Sequence, residues 1–267
     1  MAGPEKGTPV VLLHGFPEFS YGWRKQIPAL AEAGFRVVVP DQRGYNRSSK
    51  PPLVADYHLN KLTEDVLAIA DQLAAARICL AGHDWGAAVA WNTAIQHPNR
   101  IERLAILNVP HPLARLHSLR ANLRQLRRSW YMLGFQIPGL PERMLSANNY
   151  QAATRALLQS SRPGTFSNED LHRYREAWSQ PGALTAMINW YRAIFRSRPA
   201  FGRVTVPTRI IWGMQDRFLL PELASESLAH CDRGELFPFP NATHWVHHEE
   251  PDRVNELLIG FFRQETE

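Results

Sequence analysis

The sequence predicts an α/β protein, a mostly parallel central sheet flanked by helices, with a helical insertion after the fourth predicted strand. Three observations point to this class. Short β-branched runs alternate with helical apolar spacing through the first 110 residues. A tryptophan- and arginine-rich stretch without a strand-like run then fills residues 111–203. Strand alternation resumes at Pro207. Strands separated by helical segments are the pattern of parallel sheets, whose crossovers need room for a helix.

The elements follow in order. Thr8–Leu13 (TPVVLL) reads as a buried strand, Tyr21–Ala33 as a helix, and Arg36–Pro40 (RVVVP) as the second strand. Leu59–Ala75 is a helix, because Leu62, Val66, Ile69 and Leu73 recur every three or four residues. Arg77–Gly82 is the third strand, Gly86–Gln96 a helix and Ile101–Val109 the fourth strand. Past the insertion, Pro207–Gly213 and Glu235–Pro238 are strands, and Asp252–Phe262 is the closing helix. The expected organisation is one core, residues 1–110 and 204–267, interrupted by a helical unit over 111–203.

Composition narrows the function classes. A chain of 267 residues, 45% hydrophobic and 21% charged, can bury a sizeable core. Cys79 and Cys231 offer neither a disulfide framework nor metal-ligand spacing, and Cys79 in ICLAG is expected to be a small buried side chain. No stretch approaches the roughly 20 apolar residues of a membrane span, and MAGPEKGTPVVLLHGFP does not read as a signal peptide. A soluble cytoplasmic protein without membrane insertion is expected. The net charge of +5 raises the question of nucleic acid. Arg120, Arg124, Arg127 and Arg128 lie at helical spacing in ARLHSLRANLRQLRRSW, but no nucleic-acid-binding motif or phosphate loop accompanies them. They are expected to form a solvated helix face, with no nucleic-acid partner.

The chemistry concentrates at strand ends, where functional residues of parallel α/β sheets collect. Asp84, Asp216 and His244 each follow a predicted strand. Asp84 stands in Gly82-His83-Asp84-Trp85-Gly86, where a nucleophile elbow usually carries serine in G-x-S-x-G. The small residues after it (Gly86, Ala87, Ala88, Ala90) allow a tight strand-turn-helix, and the helix N-terminus favours a carboxylate. The Trp85 N–H is one expected oxyanion donor. The Phe16 N–H, in the HGFPE loop after the first strand, is the other.

An aspartate here has a chemical rationale. Serine attacking a saturated carbon would form an ether, which cannot be hydrolysed onward. A carboxylate forms an ester that water can cleave, and it is already ionised at neutral pH. His244, oriented by Asp216, is then needed only to activate that water. Singly, Asp84 could cap a helix, Asp216 sit in a turn and His244 be a surface histidine. Their joint position and order favour the catalytic reading. His244, His247 and His248 also have the i, i+3, i+4 spacing of metal ligands, yet no Cys or carboxylate cluster matches them, and neither metal nor cofactor is expected.

HGFPEFSYGWRKQIPAL, DQRGYNRSSKP, GHDWGAAVAW, NWYR and WGMQDRFL with THWVHHEEP together resemble the epoxide hydrolase family of the α/β-hydrolase superfamily, over nearly the whole chain from Thr8. The resemblance implies an α/β-hydrolase fold with the insertion as a helical cap. It implies a small-molecule epoxide substrate, converted to a vicinal diol; the chain is expected to be a monomer or a homodimer. It also implies two cap tyrosines that donate to the epoxide oxygen. Tyr191 in NWYR matches one, and Tyr131, five residues before Gln136, the other. Haloalkane dehalogenases also resemble the chain and carry Asp-Trp at the elbow, but their second halide donor is asparagine or tryptophan where Phe16 stands. Fluoroacetate dehalogenases carry arginine where Trp85 stands. A non-catalytic binding protein of the same fold is a further alternative. The family has an antiparallel hairpin before the first parallel strand, and only about seven residues precede TPVVLL, so either the sheet is smaller at that edge or the sequence is cut short there.

Overall fold

Strands β1 (Pro9–Leu13), β2 (Arg36–Val38), β3 (Ile78–His83), β4 (Ile101–Leu107), β5 (Thr208–Gly213) and β6 (Gly234–Phe239) account for the six expected strands. They form one sheet, six-stranded among the described residues, in the order β2-β1-β3-β4-β5-β6. Every ladder is parallel. The structure is a computed structural model describing residues 1–196 and 199–264. Ser197 and Arg198 of the expected insertion, and residues 265–267 of the expected core, lie outside the described residues. At the β2 edge an antiparallel bridge joins Ala2 to Val37.

Helices cover both faces because the strand side chains alternate between two apolar layers. From β1, Val11 and Leu13 face one cluster and Val10 and Leu12 the other, all essentially without solvent exposure. Each such side chain contributes roughly 1.5–3 kcal/mol on burial. Helix α1 (Gln26–Glu32) belongs to the second layer, and α2 (Leu59–Gln72) and α3 (Trp85–Gln96) to the first. The expected helix over Tyr21–Ala33 is split, with a 3-10 turn at Ser20–Trp23 before α1.

Between β4 and β5 come α4 (Pro112–Ala121), α5 (Leu123–Arg128), α6 (Tyr131–Gly134), α7 (Leu140–Ser160), α8 (Asn168–Trp178) and α9 (Ala183–Ile194). Helix α7 is broken at Ala147–Tyr150, where Asn148, Asn149 and Tyr150 take φ of 50°, 54° and 62°. After β5 follow α10 (Glu222–Leu228), α11 (Val246–Glu249) and α12 (Pro251–Phe262), with α12 packed beside α1. The sequence reading omitted α10 and α11, which are too short for a helical period to register. Among the described residues, no helix is long and apolar enough to cross a membrane. Cys79 and Cys231 are both buried and free.

Candidate active site

The turn between β3 and α3 puts Asp84 at φ 48°, ψ −125°, a region costly for a residue with a side chain. Close packing enforces it. A Cβ on Gly86 would lie 2.2 Å from the Leu13 carbonyl oxygen, and one on Gly82 2.4 Å from that of Gly86. Only glycine at both positions lets α3 start so near β1 and β3, which lifts Asp84 above the sheet end.

Asp216, after β5, and His244, ahead of α11, converge on it. Asp84 Oδ1 accepts the Phe16 N–H at 2.7 Å, and Oδ2 lies 3.4 Å from His244 Nε2. His244 Nδ1 is 2.7 Å from Asp216 Oδ2, so this nitrogen donates and Nε2 faces Asp84. Trp85 opens α3, and its N–H belongs to the first turn, whose donors the helix itself leaves unused. The five groups expected at the elbow, the oxyanion loop and the two strand ends therefore share one place.

The charges reinforce one another. Burial opposes charge on His244, but the Asp216 and Asp84 carboxylates outweigh it and raise its pKa to about 10. Burial likewise opposes charge on Asp84, yet His244, His83 and the Phe16 N–H hold its pKa below the ordinary value. The resting pair is a carboxylate facing an imidazolium.

Tyr131 on α6 and Tyr191 on α9 line the same cleft as Asp84, their rings 5.9 Å apart. Tyr191 meets Phe16 and Trp85 edge-on, at 5.1 and 4.9 Å. Burial pushes both phenols up, the Asp84 charge adding to it, so they stay protonated O–H donors. A cavity of about 380 Å³ opens on Asp84, His244 and both tyrosines, with Phe16, Phe135, Phe218, Trp130 and Trp245 among its walls, a size suited to a small ligand. A second space of about 30 Å³ lies between Asp84, Trp85, Arg115 and the tyrosines, room for roughly one or two waters.

Several supporting residues escaped the sequence reading. Asn108, just beyond β4, donates to Asp216 Oδ2 at 2.9 Å and bonds both polar groups of Gly213. Its position past a strand end was the signal available. Asp216 Oδ1 also accepts the Phe218 and Leu219 N–H groups, at 2.7 and 3.0 Å. Gln125 and Arg128 of α5 bind backbone groups of this loop, Arg128 reaching the Asp216 carbonyl at 2.8 Å. Arg128 thus departs from the expected solvated face, while Arg120, Arg124 and Arg127 are exposed. In NWYR, Arg192 pairs with Glu142 at 2.7 Å and donates to the Phe135 carbonyl, and Gln136 donates to the Tyr191 carbonyl. The two tyrosine-bearing helices are tied together this way.

The three histidines of the THWVHHEEP segment part company. His244 serves Asp84 and Asp216, whereas His247 and His248 turn to the fully buried Glu18 of HGFPE. Glu18 Oε1 accepts from Tyr174 at 2.6 Å and His248 at 2.7 Å. His83 Nδ1 lies 3.3 Å from Glu18 Oε2, while its Nε2 donates to the His244 carbonyl at 2.9 Å. Glu18, His83 and His247 are the described residues whose ligand atoms come near enough to hold a cation, within 4.8 Å.

The model of the alpha/beta hydrolase fold family matches residues 8–251. The AB hydrolase superfamily protein YfhM of Bacillus subtilis is 44% identical over 99% of this chain and 93% of its own length. Epoxide hydrolase 4 of the mouse is 38% identical over 100% of this chain and 76% of its own length. A crystal structure of a Bacillus megaterium epoxide hydrolase with an inhibitor superposes with a TM-score of 0.90 at 29% identity, over 98% of this chain and 95% of that one. With the elbow, the strand-end pair and the two phenols in one cleft, the chain belongs to the epoxide hydrolase family of the α/β-hydrolase superfamily.

Proposed function

We propose that this protein adds water to epoxides, giving vicinal diols, through a covalent ester on Asp84. The observation that carries the reading is the pairing, in one cleft, of an anionic Asp84 backed by His244–Asp216 with two phenols held protonated. An Asp84 oxygen attacks a ring carbon and the ring C–O bond breaks. Tyr131 and Tyr191 hydrogen-bond to the departing oxygen, which leaves as an alkoxide and needs a proton. Esterification removes one of the two carboxylate charges that sustain the His244 cation. Its pKa falls, and the proton it sheds balances the alkoxide, giving a neutral hydroxyl and a neutral imidazole.

Neutral His244 then takes a proton from water, and the hydroxide adds to Cγ of Asp84. The Phe16 and Trp85 N–H groups receive the oxyanion. Collapse expels the diol oxygen, which picks up the proton of the new carboxyl. Carboxylate and imidazolium are restored, so no net charge is left behind in a turnover. Helices α4–α9, residues 111–203, act in this reading as a cap on a core of residues 1–110 and 204–267. No step draws on a metal or an organic cofactor.

Incubation with an aryl epoxide and with haloalkanes, assaying diol and halide separately, tests the assignment. Diol from the epoxide is expected, and halide release without diol would overturn the choice. The Trp85 ring, a potential source of a halide-donating N–H, meets the Tyr191 phenol edge-on at 4.9 Å, and a phenol placed beside it favours the epoxide arm. His244→Gln should accumulate about one equivalent of ester and stop. No trapped ester with any reactive epoxide would return the chain to a binding role.

A further inference from the structure

The arginine row of α4 and α5 has a second property. Residues 111–141 hold five arginines (115, 120, 124, 127, 128) and no Asp or Glu. Five equals the net charge of the entire chain, so the remaining Lys and Arg and the Asp and Glu balance at 25 each. The same segment also carries large apolar side chains from α5 through α6 to the first residue of α7: Leu123, Leu126, Trp130, Leu133, Ile137 and Leu140. All six are exposed, from 46% for Leu140 to 74% for Leu123. Leu126, Trp130 and Leu133 border an apolar groove of about 600 Å³ whose other rim includes the exposed Phe195 and Phe201. The groove and the small cleft at Asp84 share Ala88, Val109 and Arg115.

We propose that this face docks on the surface of an anionic lipid bilayer, with its leucines and Trp130 among the acyl chains and the exposed Arg120, Arg124 and Arg127 at the headgroups. Exposed leucine and tryptophan interleaved with arginine, without carboxylates, is the composition of interfacial helices rather than of a solvated face. An exposed apolar surface of this extent calls for a covering. A second copy of the chain covers it poorly. Two-fold self-contact would set one carboxylate-free arginine row against another, and like charges placed together oppose association. The Arg124–Glu222 pair, 3.8 Å apart and more than half exposed on both sides, leaves the charge of the row largely available. Docking does not depend on the epoxide reading. The use made of it does, since a groove that shares lining residues with the cleft at Asp84 would take apolar epoxides directly from the bilayer.

Flotation of the full chain with vesicles of phosphatidylglycerol and phosphatidylcholine in equal parts, against phosphatidylcholine alone, tests the proposal. Binding to the anionic vesicles only is expected, weakening steeply with salt. Arg120→Glu with Arg124→Glu should lower it at least about tenfold, at roughly one kcal/mol for each arginine removed from the surface. Leu123→Ser with Ile137→Ser should lower it several-fold. None of these four residues lines the cavity at Asp84, so turnover of a water-soluble epoxide and circular dichroism serve as folding controls. Absent or equal binding to the two vesicle types would overturn the proposal. So would undiminished binding by the charge-reversed variant, or sedimentation as a dimer that both double variants dissociate. Diol assays are read separately, so failure of docking and failure of the epoxide reading remain distinguishable.

Discussion

At the residue scale the site is an arrangement of protons. Asp84→Asn removes the proposed nucleophile while keeping the Phe16 contact, and turnover is expected to fall by about a thousandfold or more with no ester trapped. Tyr191→Phe should slow ring opening much more than ester hydrolysis in single-turnover kinetics, because the proposed role of the phenol is to serve the ring oxygen. Equal effects on both steps would contradict that role. Asn108→Ala withdraws a 2.9 Å donor from Asp216 and should have the opposite profile, slowing ester hydrolysis roughly ten- to a hundredfold, since a hydrogen bond to a charged group is worth about 1.5–3 kcal/mol. Asp84, Asp216 and His244 were legible because each ends a strand, and strand ends in a parallel sheet lie along one edge. Asn108 has the same placement, but an asparagine announces no chemistry by itself. Glu18 and His83 stand inside the HGFPE and GHDWG motifs, which do not by themselves reveal their partners. Their partners, such as His248 and Tyr174, lie 230 and 156 residues away from Glu18 in sequence, and periodicity does not reach that far.

At the element scale, the apolar runs identify β1, β3, β4 and β5 because these central strands are buried on both faces. The edge strands β2 and β6 are more exposed and are marked by short β-branched or aromatic runs. Short helices such as α10, and the break at Ala147–Tyr150 inside α7, carry no period long enough to be seen. In helix α9, four consecutive residues divide the contacts. Asn189 and Arg192 bond one another, Trp190 donates to the Arg43 carbonyl at 3.0 Å, and Tyr191 enters the cleft. Arg192 then ties α9 to Glu142 at the start of α7. Both side chains are largely buried, and breaking such a pair from one side costs about 3–5 kcal/mol. Arg192→Ala should therefore lower Tm by several degrees in calorimetry and slow ring opening through displacement of Tyr191. An unchanged Tm would show the pair to be ornamental.

For the whole molecule, stability should fall on both sides of neutrality, for different groups. His244 is raised in the fold, so its contribution is complete below its unfolded pKa near 6.5 and is lost as pH climbs through about 10. His14, His247 and His248 are lowered by burial. Their neutral forms favour the fold above about 6.5, and this is lost as acid protonates them. Tm measured across pH should show both limbs, and His244→Gln should flatten only the alkaline one. An alkaline limb that persists unchanged in the variant would remove His244 as its source. The Glu18 carboxylate gives the acid limb a mechanical meaning. One buried side chain fastens the HGFPE loop to His83 at the end of β3, to His248 on α11 and to Tyr174 on α8. Four distant stretches of chain hang from a single knot, so they should loosen as one cooperative unit. Amide hydrogen exchange of α8, α11 and the residues around Glu18 is expected to share one opening free energy, and Glu18→Gln to lower it for all of them together.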